Sequence, residues 1–117
     1  MSKRFHLTKR AFEDIKNIFT YSGENWGEAQ AKKYINALYS DFKKISDKTE
    51  LGNSRKYRYE PFLMYPSGRH YIVYELFKDS IIIITVINQV RNIENIMIEF
   101  GSSFRIEIEE LKAALLK

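Results

Sequence analysis

Apolar residues recur at spacings of three and four from the first turn of the chain onward. Ala11, Phe12, Ile15, Ile18, Phe19 and Ser22 share one stripe, with Lys9, Arg10, Glu13, Asp14 and Lys16 opposite, which is the pattern of an amphipathic helix. Thr8 can cap its start, and Leu7 with Phe12 has the spacing of a hydrophobic staple. The run Ser22-Gly23-Glu24-Asn25 predicts a break. A second periodic stretch follows, with Ala31, Tyr34, Ile35, Leu38, Phe42 and Ile45 on one face and Lys32, Lys33, Lys43 and Lys44 off it. Two such helices joined by a short turn predict an antiparallel hairpin.

The period then changes. Residues 46–54 are polar and turn-forming, a surface loop. Tyr57 to Met64 reads as a strand, and Pro61, which has no N–H to give a ladder, places it at an edge or on a bulge. Tyr65-Pro66-Ser67-Gly68 is turn chemistry, residues 69–77 are rich in β-branched and aromatic types, and Lys78-Asp79-Ser80 turns the chain again. The run from Ile81 to Ile87 has almost no polar alternation and needs cover on both faces, so it belongs inside the sheet. Phe5 to Leu7 adds a short N-terminal strand.

Beyond Asn92, which can cap a helix, Ile93, Ile96, Met97 and Phe100 resume helical spacing. Gly101 predicts a stop, and Ser102 or Ser103 a new start for a helix whose apolar face is Phe104, Ile108, Leu111 and Leu115. That stripe is expected to pack back on the domain or pair with a second copy, since left open it would be adhesive. The order is β-α-α-β-β-β and then helix. This is an α+β domain made of an N-terminal strand, an antiparallel helix hairpin, a three-stranded antiparallel meander and extra C-terminal helices.

Composition narrows the setting. A chain of 117 residues suits one domain, and with no cysteine there is neither a disulfide nor a thiolate metal site. No window reaches the roughly 18 apolar residues of a membrane span, and the first residues lack a signal-like apolar stretch. A cytoplasmic protein is expected. The formal charge of +4 is uneven: residues 1–58 carry 13 Lys and Arg against 7 Asp and Glu, whereas 59–117 carry 6 against 8. A basic first half fits an acidic partner, nucleic acid or protein.

Candidate chemistry is sparse. There is no glycine-rich phosphate loop, and His6 and His70 stand far apart without a metal-ligand motif, so each is read as structural and no metal or cofactor is expected. Arg69 follows Gly68 at a hairpin corner, where its guanidinium can hold a carboxylate bidentately, either a partner's or that of Glu60 or Glu75. Trp26 between the helices reads as a core anchor. Asn88, Gln89 and Arg91 stand at the exit of the most buried strand, held in fixed positions that suit binding, while Asn88 and Asn92 equally suit helix capping.

These pieces occur together in a known family. The helix-hairpin text with Trp26-Gly27, Gln30-Ala31 and Tyr34, then Gly68-Arg69-His70 followed by Ile72 and Tyr74, and the last strand ending in Gln89 and Arg91 resemble the ParE branch of the RelE/ParE toxin superfamily. The likeness spans about residues 5–92. It divides the chain into a toxin domain, 1–92, and a C-terminal helical extension of the same domain, 93–117.

The resemblance implies a toxin of a bacterial type II toxin–antitoxin pair, linked to plasmid stabilisation, that inhibits DNA gyrase by binding and is silenced by a cognate ParD-like antitoxin, as a homodimer or in a heterotetramer. Antitoxin- or target-binding residues are then Arg55, Lys56, Arg58, Arg69, Gln89 and Arg91. The antitoxin is expected to lay an amphipathic helix and an acidic segment on the basic face. The alternative is a ribosome-dependent messenger RNA nuclease of the RelE kind, in which Arg69, Arg91 and Lys56 stabilise charge and Tyr57 or Tyr59 moves a proton. A non-toxic binding module is the third reading. Two departures bear on the choice: Asn88 stands where many relatives have a histidine, and some 25 residues follow Arg91. Part of that tail, from Arg105 to Lys117, is similar to the amphipathic C-terminal part of ParD-type antitoxins.

Overall fold

A computed structural model describes residues 5–49, the backbone of 58–59, and residues 62–116. The elements are β1 (Phe5–Leu7), α1 (Lys9–Trp26), α2 (Glu28–Asp47), β2 (Arg58–Tyr59), β3 (Phe62–Ser67), β4 (His70–Phe77), β5 (Ser80–Asn88) and α3 (Ile93–Leu115). The strands form one five-stranded sheet in the order β1-β5-β4-β3-β2. β2 to β5 run as an antiparallel meander, and β1 pairs in parallel with β5, Phe5 beside Ile81 and Leu7 beside Ile83. The α+β architecture expected from the hydropathy pattern is present.

The isoleucine run lies inside the sheet, and its side chains divide between two apolar clusters. Ile81, Ile83 and Val86 join Ile72, Tyr74, Leu38, Phe42 and Ile45 beneath the helix hairpin. Ile82, Ile84 and Ile87 join Phe62, Met64, Val73 and, from α3, Ile96, Phe104 and Ile108. A strand covered on both faces has no use for polar alternation. The two-residue period breaks once. Val73 pairs with Thr85 but Tyr74 pairs with Ile83, so Ile84 is the extra residue of a bulge.

β1 ends at Leu7, leaving the second half of β5 without a neighbouring strand on that side. Side chains of α1 and its cap take over the exposed backbone. Thr8 donates from its amide to the Ile83 carbonyl at 3.1 Å and from its hydroxyl to the Ile84 carbonyl at 2.7 Å. The Asp14 carboxylate accepts from the Val86 amide at 3.1 Å and from the Thr85 hydroxyl. An open edge is thus closed by polar side chains. Thr8 also caps α1, its hydroxyl accepting from the Ala11 amide at 3.0 Å.

Several local expectations are corrected. α1 does not break at residues 22–25 but continues to Trp26; the turn falls at Gly27, whose φ of 90° suits glycine and which ends α1 and begins α2. The Leu7–Phe12 staple does not form: Leu7 packs against the cluster beneath the hairpin, while Phe12 is 51% exposed under the Lys16 ammonium. α2 takes in Ser46 and Asp47, which the pattern assigned to the loop. Tyr65, Pro66 and Ser67 belong to β3, so the turn is Gly68-Arg69 alone.

The C-terminal segment is one helix of 23 residues, capped by Asn92 and running straight through Gly101, instead of two. An interior glycine costs about 1 kcal/mol, and burial of Phe104 and Ile108 on the same continuous face outweighs it. Charges fix its register: Glu75 on β4 accepts from Lys112 Nζ at 2.6 Å and Arg105 Nη2 at 2.9 Å, and Arg10 Nε stands 3.6 Å from Glu107. Among the described residues no helix is long and apolar enough to cross a membrane.

Candidate functional site

The site is assembled at the end of the sheet where the hairpin turn of β3–β4 meets the last turn of α1 and the first turns of α2. Ser22 and Trp26 stand four apart on one face of α1, but only Ser22 is buried. The indole is 52% exposed, so it is not the core anchor expected of it. It instead meets the edge of Tyr21 and carries the Arg69 guanidinium over its ring, 5.3 Å from the centroid.

Arg69 is exposed, yet its backbone is tightly held. Its amide donates to the Tyr34 hydroxyl at 2.8 Å, and its carbonyl accepts from the Gln89 amide at 2.9 Å. The Gln89 carboxamide donates to the carbonyls on either side, Gly68 at 3.2 Å and His70 at 2.9 Å. Gly68, with φ of 57°, passes so close to Tyr34 that a Cβ there would lie 2.6 Å from the hydroxyl oxygen. The glycine admits the tyrosine, and the tyrosine fixes the arginine.

The same hydroxyl lies 2.7 Å from His70 Nδ1. It already accepts the Arg69 amide proton, and with Nδ1 it shares one further proton, which either atom can carry according to the imidazole tautomer. Burial pushes the His70 pKa below its ordinary value, favouring the neutral ring, and burial raises that of Tyr34 against the pull of the Arg69 amide. His70 is the register partner of Asn88 across β4 and β5. The Asn88 side chain accepts from the Val90 amide at 2.9 Å and its carbonyl from the Arg91 amide at 3.0 Å, so Asn88 shapes the exit turn and Asn92 caps α3.

Together these residues wall a cleft of about 590 Å³. Its lining includes Trp26, Tyr34, Arg69, His70 and Asn88, with Asn17 and Gln30 on the helix side, and among the described residues no carboxylate lines it. Among the described residues, Arg69 is therefore a cation facing a cleft lined by no carboxylate. Glu75, offered by the sequence as its partner, is occupied by Arg105 and Lys112 on the α3 side; burial raises its carboxyl, but the two cations outweigh that and hold its pKa below the ordinary value.

The remaining predicted residues are dispersed. Arg91 is exposed on the turn after β5 and is not part of the cleft lining, and Gln89 acts through the backbone of the corner. Arg58 and Tyr59 form β2 at the far edge of the sheet. Arg55, Lys56, Tyr57 and Glu60 lie outside the described residues. Trp26, Tyr34 and Gly68-Arg69-His70 stood together in the sequence only as pieces of a family resemblance; the structure gathers Trp26, Tyr34, Arg69 and His70, with Asn88, around one cleft. Among the described residues no set of three His, Asp or Glu side chains is placed to hold a metal.

Comparison with known proteins agrees with this architecture. A solved structure described as the chromosomal ParDE TA system from P. aeruginosa superposes with a TM-score of 0.60 at 12% identity, over 74% of this chain and 96% of that one, a likeness of fold. Toxin ParE1 of Caulobacter vibrioides is 29% identical over 74 residues, 63% of this chain and 77% of its own length. The family model for the ParE toxin of the type II toxin-antitoxin system, parDE, matches residues 5–93, from the first residue of β1 to the first of α3, and the chain belongs to that family.

Proposed function

We propose that this ParE-family toxin acts in the cytoplasm by binding DNA gyrase, and that a cognate ParD-like antitoxin neutralises it by covering the same end of the sheet. The observation that supports action by binding is the Arg69 corner: a cation packed on an exposed indole, its backbone fixed by Tyr34 and Gln89, with no carboxylate among the described residues of the cleft lining. A preorganised arginine beside an exposed aromatic is the usual chemistry of a binding hot spot. Arg91 on the neighbouring turn adds charge to that end. The test is a supercoiling assay with purified gyrase. Excess toxin should slow supercoiling, antitoxin should restore it, and Arg69→Ala should weaken inhibition; gyrase untouched by excess toxin overturns the proposal.

One observation favours a second reading. The imidazole missing at position 88 has a counterpart across the strand pair, since His70 is the register partner of Asn88 and lines the cleft beside Arg69. An imidazole near a fixed guanidinium is a minimal set for acid–base chemistry on a phosphodiester. This reading predicts translation-dependent messenger RNA cuts that disappear with His70→Ala and with Arg69→Ala.

A further inference from the structure

We infer that the cleft between the helix hairpin and the β3–β4 corner is a binding site for a heterocyclic base carrying a phosphate, that is, a nucleotide. Its volume of about 590 Å³ lies within the roughly 300–1,000 Å³ of ligand pockets. The walls are mainly apolar, from Ile18 and the rings of Tyr21, Trp26 and Tyr34, which suits a flat ring.

The polar groups decide what kind of ring. Asn17, Gln30 and Asn88 bring three carboxamides to the lining, each with donor and acceptor capacity. The Asn88 oxygen is already engaged by the Val90 amide, so its amide hydrogens are what it offers a ligand. A purely hydrocarbon occupant, such as a leucine or phenylalanine side chain from a partner, offers these carboxamides nothing to bond. A base edge, with its own alternating donors and acceptors, pairs them.

The anion follows from Arg69. The Trp26 ring lies against the guanidinium, whose N–H rim serves planar or tetrahedral oxyanions, and among the described residues the lining holds no acidic side chain to repel one. The imidazole adds a second polar group beside Arg69: Tyr34 holds its Nδ1 at 2.7 Å, which fixes the ring in the lining and leaves Nε2 for a ligand. The corner is organised before a ligand arrives, because Tyr34 and Gln89 hold the backbone on both sides of Arg69.

The protein carries its own reporter, since Trp26 is the single tryptophan of the chain. The full-length chain is titrated, following Trp26 fluorescence, with AMP, GMP, CMP and UMP, the matching nucleosides, inorganic phosphate, a single-stranded trinucleotide and an Asp-Phe dipeptide. At least one mononucleotide should quench saturably, with a midpoint about tenfold or more below those of its nucleoside and of phosphate. Arg69→Gln, exposed and so not expected to disturb folding, should bring nucleotide and nucleoside midpoints together, and Gln30→Ala should change the ranking among bases. A trinucleotide that binds tighter than every mononucleotide identifies a nucleic-acid strand as the source; equal affinity identifies the free nucleotide. The inference is overturned by no saturable quenching up to about 10 mM nucleotide, by phosphate alone binding equally well, by unchanged nucleotide preference in Arg69→Gln, or by the dipeptide outcompeting all nucleotides. None of these results depends on gyrase, so the proposal of gyrase inhibition stands or falls separately.

Discussion

The hydroxyl of Tyr34 on α2 sits under Gly68 at the β3–β4 corner, closer than any side chain at 68 would allow: a Cβ would come within 2.6 Å of the oxygen and 2.9 Å of the ring. Gly68→Ala therefore meets both a left-handed φ of 57° and a collision. The expected loss is about 1–3 kcal/mol in urea denaturation. Tyr34→Phe keeps the ring but removes the acceptor for the Arg69 amide, and should cost about 0.5–1.5 kcal/mol together with weaker partner binding.

Trp26 and Phe42 provide a contrast. Phe42 is fully buried beneath the hairpin, and Phe42→Ala should cost about 3–5 kcal/mol. Trp26 is half exposed, and Trp26→Ala should stay within about 1 kcal/mol of wild type while reducing activity in the supercoiling or cleavage assay. Equal losses of stability would place Trp26 back in the core.

Glu75 anchors α3 electrostatically. Glu75→Gln leaves Arg105 and Lys112 without their carboxylate and should destabilise by about 1.5–3 kcal/mol near neutral pH. Its folded pKa is lowered from 4.5, so the contribution is complete above that value and is lost as pH falls through the lower, folded value. Asp14 has the opposite sign: burial raises its pKa above 3.8 against the pull of Thr85 and Val86, favouring the folded state once protonated. The difference between wild type and Glu75→Gln, measured by denaturation from pH 7 downward, isolates the first effect and should shrink below pH 4.5.

His70 titrates in a separate window. Its folded pKa is lowered from 6.5, so the unfolded chain takes up the proton first as pH falls. Stability is full above 6.5 and declines as pH drops below it toward the folded value, and His70→Gln should flatten this slope below pH 6.5. A wild-type profile without a slope there would contradict a neutral, half-buried imidazole.

Much of the frame was legible in the residues because it rests on short-range rules. Thr8 and Asn92 are caps in sequence and in space, and the isoleucine run shows by its lack of alternation that both faces are covered. What escaped depends on the register between distant segments. Gly101 reads locally as a stop, yet the helix passes through it because Phe104 and Ile108 have a sheet to pack on. Ser22 to Asn25 reads as a break for similar reasons, although Gly27 is the residue that takes the positive φ. The cleft was only partly visible: Arg69 and its glycine could be picked out, but Tyr34 and His70 meet only once α2 is laid across the corner. Asp14 looked like an ordinary solvated charge until the early end of β1 gave it an amide to accept.

The split of the isoleucine strand between two sides has a consequence for how such a chain can change. Ile81 and Ile83 answer to the hairpin that bears the cleft, whereas Ile82 and Ile84 answer to the tail helix lying beyond the family's shared segment. The strand is a party wall: one room can be refurnished, its helix lengthened or traded, while the apolar tenants next door keep their neighbours and only Arg10, which reaches across to Glu107, loses one.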